Sequence, residues 1–103
     1  MNQISIPPLV AVATEGNLTN LITERAWFEP DHLMLSRADG NGGWREVSAA
    51  QLAQEVRATA KGLIAAGIKQ GDRVALMSRT RYEWAILDFA IWFAGGCSVP
   101  IYD

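Results

Sequence analysis

The sequence predicts an α/β fold, chiefly because residues 73–102 read as strand, helix and strand. A short apolar run at residues 74–77 is typical of a parallel strand covered on both faces. An apolar helix follows, capped at Thr80 with Glu83 in the spacing of a capping box, and it ends at Gly95 and Gly96. A second strand is expected at residues 99–102. Parallel strands need such a helical crossover, so the segment predicts a βαβ unit of a partial doubly wound sheet.

Composition limits the class of protein. The chain has 103 residues, half of them hydrophobic, and a formal net charge of -2. These values predict one domain or part of one, and the absence of a basic stripe argues against a nucleic-acid partner. Cys97 is the sole cysteine, which fits a reducing compartment. The apolar run at residues 84–94 is too short to span a bilayer, so we expect a cytoplasmic protein without a transmembrane segment.

The first third of the chain predicts an arm and a short helix. Residues 1–16 carry scattered apolar residues, and Pro7 and Pro8 argue against an internal strand, so we expect an extended arm. A disordered or loosely docked tail is the alternative. A helix capped by Asn17 or Thr19 follows, and Pro30 ends it.

The middle of the chain predicts a hairpin. Strands are expected at residues 33–35 and 44–47, joined by the sequence Asp-Gly-Asn-Gly-Gly at residues 39–43. Glycine and asparagine adopt positive φ at low cost, which favours a hairpin turn. A phosphate-binding loop is the alternative, but it needs a helix directly after the glycines. A strand-like segment comes first, so the hairpin is preferred.

An amphipathic helix is predicted next. Ser48 and Gln51 have capping-box spacing, and Gly67 is placed to end the helix. Its apolar stripe predicts a face that packs in the core. The stripe consists of Leu52, Val56, Ala60, Leu63 and Ile64.

The sequence offers no convincing catalytic, cofactor-binding or metal-binding residue. His32 has no Cys, Asp or Glu at ligand spacing, so a surface role is expected. Asp88 lacks a partner for general-base chemistry. Cys97 has no nearby histidine, and a packed thiol is a better interpretation than a nucleophile.

Two arginines follow the first strand of the βαβ unit, at the edge where open α/β sheets bind ligands. Arg79 and Arg81 could meet an anion there. Solvent exposure or pairing with Glu83 and Asp88 is the preferred interpretation, because most such pairs are surface contacts.

The helix at residues 84–94 is apolar on nearly all sides, which indicates burial on more than one side. We therefore expect it to pack beneath further protein or to self-associate. A small protein–protein interaction module that uses this helix is the alternative function. A Rossmann-type nucleotide-binding domain is disfavoured, because the Ser-Arg-Thr-Arg loop at residues 78–81 lacks the glycine fingerprint.

Several segments together resemble the N-terminal region of AMP-forming acyl-CoA synthetases. They are Trp-Arg-Glu-Val-Ser at 44–48, Leu-Ala-Gln-Glu-Val at 52–56, the Gly-Ile-Lys-Gln-Gly-Asp-Arg-Val-Ala block at 67–75, the helix that follows, and Val-Pro-Ile-Tyr at 99–102. Residues 82–84, Tyr-Glu-Trp, are similar to the long-chain fatty acid branch. The resemblance covers about residues 17–103. Cys97 stands where the family pattern usually has another small residue, which affects packing.

This resemblance implies an N-terminal fragment of a long-chain fatty acid–CoA ligase, residues 17–103 forming the first part of its AMP-binding domain. Such enzymes join a fatty acid to coenzyme A through an acyl-adenylate, using ATP and magnesium and releasing AMP and pyrophosphate. Their catalytic and cofactor-binding motifs lie beyond residue 103. The resemblance therefore implies a scaffold role, with the remainder of the ligase chain as partner and no activity for this segment alone.

Overall fold

A computed structural model describes residues 2–102. It contains three helices and four strands, and the α/β class predicted from the sequence is confirmed. In chain order they are α1 (Asn20–Phe28), β1 (Leu33–Ala38), β2 (Trp44–Ser48), α2 (Ala49–Ala65), β3 (Arg73–Leu76), α3 (Tyr82–Phe93) and β4 (Cys97–Pro100). Met1 and Asp103 lie outside the described residues. They are the first residue of the predicted arm at residues 1–16 and the last residue of the predicted domain part at residues 17–103.

The βαβ unit forms as expected, with β3 and β4 parallel and α3 as the crossover. Two details differ from the prediction. β4 begins at Cys97, and Pro100 lies opposite Leu76. Pro100 has no N–H to donate, and the N–H of the next residue, Ile101, donates to the Leu76 carbonyl at 2.9 Å. At the start of α3 the N-cap is Arg81 in an extended conformation, without a side-chain cap, so the capping role predicted for Thr80 is wrong.

The predicted cover on both faces of the first strand is also wrong within residues 2–102. Leu76 is buried under α3, whereas Ala75 on the opposite face is exposed. Successive side chains of a strand point to opposite faces of the sheet, and α3 covers only one face of this two-stranded sheet.

Glycines end the second and third helices in the same way. Gly67 has φ of +110° and donates to Ile64, and Ile68 donates to Leu63, which is the paired bonding of a Schellman motif. Gly95 and Gly96 repeat the pattern after α3, where Gly95 has φ of +85°. Both predicted stops are confirmed.

The hairpin and the capping box are confirmed as well. β1 and β2 pair antiparallel, with an irregularity between Leu33 and Leu35. The Ser48 hydroxyl accepts a hydrogen bond from the Gln51 N–H at 3.2 Å, and the Gln51 side-chain oxygen accepts one from the Ser48 N–H at 2.9 Å. The chain therefore passes directly from β2 into α2 with its first N–H groups satisfied.

The core lies around α2, which contacts both α1 and α3. Val56 is fully buried, and Leu52 and Ala60 are nearly so, as the stripe predicted. Ile64 is instead 53% exposed, because it lies in the last turn, beyond the part of α2 that its neighbours cover. Ile22 from α1 and Ile86 and Ala90 from α3 complete the cluster.

Residues 2–16 form no helix or strand and are exposed. The Cα radius of gyration is 16.8 Å, compared with about 13 Å for a compact domain of this length. Large apolar side chains in this segment, such as Leu9 and Val10, have no cover among the described residues. None of the helices within residues 2–102 combines the length and the apolar character that a membrane span requires.

Candidate functional site

Four polar residues from three elements meet beside the core, and we call them the Tyr82 cluster: Arg37, Glu55, Tyr82 and Glu83. The guanidinium carbon of Arg37 lies 4.0 Å from the centroid of the Tyr82 ring, a cation–π contact. An Arg37 terminal nitrogen lies 3.2 Å from Glu83 Oε1. The Tyr82 hydroxyl donates a hydrogen bond to Glu55 Oε2.

Local structure places each of these side chains. Arg37 and Leu35 point inward from β1, since alternate residues of a strand share a face. Glu55 lies on α2 beside the buried Val56, and Tyr82 and Glu83 occupy the first turn of α3. The cluster therefore joins the hairpin to both core helices.

The electrostatics of the cluster keep Tyr82 protonated. Burial, followed by the hydrogen bond to Glu55 and the charge of Glu55, raises the pKa of Tyr82 to about 12, and Arg37 opposes this shift. A hydroxyl with such a pKa stays protonated near neutral pH. The arrangement is therefore suited to holding structural elements together and not to acid–base catalysis.

A cleft of about 440 Å³ lies beside the cluster. Ala58, Ile86 and Leu87 form its apolar part, while Arg37 and Glu83 stand at its polar side. Glu83 pairs with Arg37, and Glu55 accepts the hydrogen bond of the Tyr82 hydroxyl. Glu55 makes no ion pair within residues 2–102, so the cluster has a net negative charge beside the cleft.

The arginines at the carboxyl end of β3 lie at the surface. Arg81 Nε is 3.7 Å from Glu83 Oε2, which confirms the pairing predicted with Glu83. Arg79 is exposed. Asp88 is half-buried on α3 and is in none of the ion pairs within residues 2–102. Of the predicted alternatives, exposure therefore holds for Arg79 and pairing with Glu83 for Arg81.

The remaining sequence candidates do not come together. His32 is exposed, and its carbonyl accepts a hydrogen bond from the Ala49 N–H, which is consistent with the surface role predicted for it. Cys97 is exposed at the start of β4, so the prediction of a packed thiol is wrong. The cause is the uncovered side of the sheet, on which Cys97 and its neighbour Arg73 lie.

That uncovered side is the second notable surface, and we call it the open sheet face: Arg73, Ala75, Met77, Cys97, Val99 and Ile101. Cross-strand neighbours Ala75 and Val99 lie at its centre, because side chains in register point to the same side. Met77 is 68% exposed and Ile101 is 45% exposed. Within residues 2–102 no element packs on this surface, although it is apolar.

The loop at residues 39–43 is a hairpin turn, as predicted. Asp39 Oδ1 accepts hydrogen bonds from the N–H groups of Asn41 at 2.7 Å and Gly43 at 3.0 Å, and these bonds lower the pKa of Asp39. Trp44 of β2 follows directly, so no helix N-terminus faces the glycines.

Two kinds of ligand-binding feature can be checked within residues 2–102, namely a cluster of metal-ligating side chains and a phosphate-binding loop. No group of three or more His, Cys, Asp or Glu side chains within this range could hold a metal ion. In the glycine loop the N–H groups of Asn41 and Gly43 bond to Asp39, and the loop leads into a strand and not into a helix.

The Tyr82 cluster was not predicted from the sequence. Its members come from residues up to 46 positions apart, as the pair Arg37 and Glu83 shows. No short-range spacing connects them. The one available signal was the placement of Arg37 at an inward position of a strand that also carries Leu35.

Comparisons with known proteins identify the family. The model of the AMP-binding enzyme family matches residues 22–103. The chain is 43% identical over 103 residues to the long-chain-fatty-acid–CoA ligase FadD15 of Mycobacterium bovis, and 42% identical to FadD15 of Mycobacterium tuberculosis. All of this chain is matched in both cases, and it spans only 17% of either relative.

Solved structures agree with this result. The fold matches a fatty acid AMP ligase from Legionella pneumophila with a TM-score of 0.75 and 28% identity, over 82% of this chain and 15% of that one. The α/β fold described above is thus that of the N-terminal part of adenylate-forming ligases. From its sequence and its fold, the chain belongs to the AMP-binding enzyme family.

Proposed function

We propose that this chain is the N-terminal scaffold segment of a long-chain fatty acid–CoA ligase. The enzyme would join a fatty acid, ATP and coenzyme A into acyl-CoA, AMP and pyrophosphate through an acyl-adenylate. The observation that carries the proposal is the 43% identity, across the whole chain, to a relative named for that activity. The Tyr-Glu-Trp sequence at residues 82–84 supports the same branch.

The proposed division of the chain is an extended arm at residues 1–16 and the N-terminal part of an AMP-binding domain at residues 17–103. The family match, which starts at residue 22, and the exposed irregular backbone of residues 2–16 support it. A cytoplasmic location is proposed on the single cysteine, which suits a reducing compartment.

In this proposal the chain contributes structure and supplies no catalytic, cofactor-binding or metal-binding residue. ATP, magnesium and coenzyme A would bind to the remainder of the ligase, which is the principal partner. The open sheet face supports this assignment, because α/β sheets carry helices on both faces and α3 supplies only one layer. Covering Met77, Val99 and Ile101 would remove exposed apolar surface from water.

Self-association is the second candidate, through the apolar helix at residues 84–94. The half-exposed side chains of Trp84, Leu87 and Trp92 favour it. A discrete dimer in light scattering would support an interaction module that uses this helix. In that dimer a soluble quencher should quench tryptophan fluorescence more slowly than in a monomeric variant such as Leu87→Glu. A monomer at all concentrations would remove it.

Two measurements test the scaffold proposal. ATP–pyrophosphate exchange by the purified chain should equal a blank without enzyme, and clear exchange would contradict the proposal. The second compares Cys97 labelling by a maleimide in the isolated chain and in a chimera, in which the chain replaces the matched segment of FadD15 from M. bovis. Cys97 should react rapidly in the chain and slowly in the chimera, and equal rates would show that the open sheet face stays uncovered.

A further inference from the structure

Asn41 and Gly42 lie in the exposed turn of the β1–β2 hairpin, and some of their polar groups have no hydrogen-bond partner within residues 2–102. Asp39 Oδ1 holds the N–H groups of Asn41 and Gly43. Between them, neither the Gly42 N–H nor the Asn41 side-chain amide has a hydrogen-bond partner among residues 2–102. Both residues are exposed, and no atom lies within 4 Å of the position where a Cβ of Gly42 would be.

We propose that Asn41–Gly42 is a site of spontaneous covalent modification, at which Asn41 is converted through a cyclic imide into aspartate and isoaspartate. The backbone nitrogen of Gly42 attacks Cγ of Asn41, forming a C–N bond. The bond from Cγ to Nδ2 breaks, and Nδ2 leaves as ammonia with the proton that Gly42 gives up. Water then adds to either carbonyl of the five-membered imide, so the sum is one water consumed and one ammonia released, with no oxidation or reduction.

Glycine is the residue that makes this attack feasible. A side chain on residue 42 would shield the nitrogen, and glycine has none. The exposed turn gives water access to the imide, and asparagine is among the thermally labile residues. The unbonded Gly42 N–H does not first have to break a hydrogen bond within residues 2–102.

The chain contains its own comparison sites. The other three asparagines are Asn2, Asn17 and Asn20. Each is followed by glutamine or leucine, whose side chain hinders the attacking nitrogen. The side-chain oxygens of Asn17 and Asn20 also accept hydrogen bonds, the latter at 2.7 Å from the Asn17 N–H. Modification is therefore expected to concentrate at Asn41.

The modification changes the hairpin turn. Isoaspartate inserts one extra methylene into the backbone, inside a turn that closes with the Asp39 N–H bonded to the Gly43 carbonyl at 3.0 Å. It also places a new carboxylate beside that of Asp39. Both effects weaken the turn from which Arg37, two residues before Asp39, reaches the Tyr82 cluster.

The test is incubation of the folded chain at mildly alkaline pH and 37 °C, with peptide mapping by mass spectrometry and an isoaspartyl methyltransferase assay. Conversion at Asn41 should be at least about tenfold faster than at each other asparagine, because only Asn41 precedes glycine. Asn41→Gln should abolish most of the isoaspartate formed. The urea-unfolded chain provides the reference rate.

Each outcome decides the proposal. Conversion at Asn41 in the folded chain, within about tenfold of its rate in the unfolded chain, supports an accessible site in the native turn. An intact Asn41 in the folded chain, under conditions that convert the unfolded chain, would overturn the proposal by showing that the turn protects it. Equal conversion at all four asparagines would overturn it as well. The result is independent of the proposed ligase function.

Discussion

Replacing Tyr82 with phenylalanine tests the Tyr82 cluster through the pH dependence of stability. The change removes one hydroxyl and keeps the ring that Arg37 contacts. In the folded chain the pKa of Tyr82 is raised to about 12 from an ordinary value of 10.0. The unfolded chain therefore loses this proton at lower pH than the folded chain. Stability from Tyr82 is present below pH 10 and is lost as pH rises toward 12.

The magnitude follows from the same shift. Two pKa units correspond to at most about 2.7 kcal/mol, at 1.36 kcal/mol per unit. Tyr82 is only partly buried, so solvent screens its interactions, and about 1 kcal/mol is the more realistic contribution. Near pH 8 we expect the wild-type chain to be more stable than Tyr82→Phe by about 1 kcal/mol, because the substitution removes the hydrogen bond to Glu55.

The assay is urea unfolding of both proteins at several values between about pH 8 and pH 11. The stability difference should shrink steadily as pH rises above 10, because the unfolded wild-type chain is increasingly stabilised by losing its Tyr82 proton. Tyr102→Phe is the matched control, since Tyr102 is 92% exposed, and it should follow the wild-type curve. A constant difference between wild type and Tyr82→Phe at all pH values would refute the reasoning.

Two neighbours should move the titration in opposite directions. Glu55→Gln removes the charged acceptor and should lower the pKa of Tyr82, whereas Arg37→Gln removes an opposing positive charge and should raise it. Tyrosinate absorbance during a pH titration reports both shifts. If neither substitution moved the titration, burial alone would determine the pKa of Tyr82, which would contradict the roles given to Glu55 and Arg37.

Three further stability predictions can be checked by urea unfolding. Ser48→Ala should cost about 1 kcal/mol, because it removes the acceptor of the capping box; a loss below about 0.3 kcal/mol would argue against a working cap. Leu52→Ala should cost about 2–5 kcal/mol, whereas Ile64→Ala in the last turn of the same helix, where Ile64 is 53% exposed, should cost less than about 0.5 kcal/mol, and equal losses would contradict the packing described. Gly96→Ala should cost about 1–3 kcal/mol, because the new Cβ would lie 3.1 Å from Ile91 Cγ2 and 3.2 Å from the Asp72 carbonyl oxygen. Gly62→Ala inside α2, with open space around it, should stabilise the chain by about 0.5–1 kcal/mol. If both substitutions stabilised or both destabilised the chain, this contrast would be refuted.

The sequence predicted those features that depend on a few neighbouring residues. The turn at residues 39–43, the Ser48 capping box and the glycines after α2 and α3 were all recognised, since the backbone groups concerned lie within five positions of one another. The order of strands and helices followed from the same local patterns.

Features that depend on which surfaces meet were predicted less well. The burial of the first strand of the βαβ unit was inferred from its apolar run, but α3 covers only the side that carries Leu76. Cys97 was expected to be packed for the same reason. The Thr80 cap failed because Arg81 adopts an extended conformation just before α3, so the helix starts one residue too late for that spacing. No local pattern could reveal the meeting of Arg37 with Tyr82.

The most direct test of the proposed scaffold role is fatty-acid-dependent ATP–pyrophosphate exchange by the chimera in which this chain replaces the matched 17% of FadD15 from M. bovis. The chimera should first be shown to unfold cooperatively, so that a folding failure is recognised. The proposed scaffold role predicts exchange that depends on a long-chain fatty acid, as in the FadD15 parent, with none from this chain alone. A cooperatively folded chimera that gives no exchange beside an active parent would contradict it.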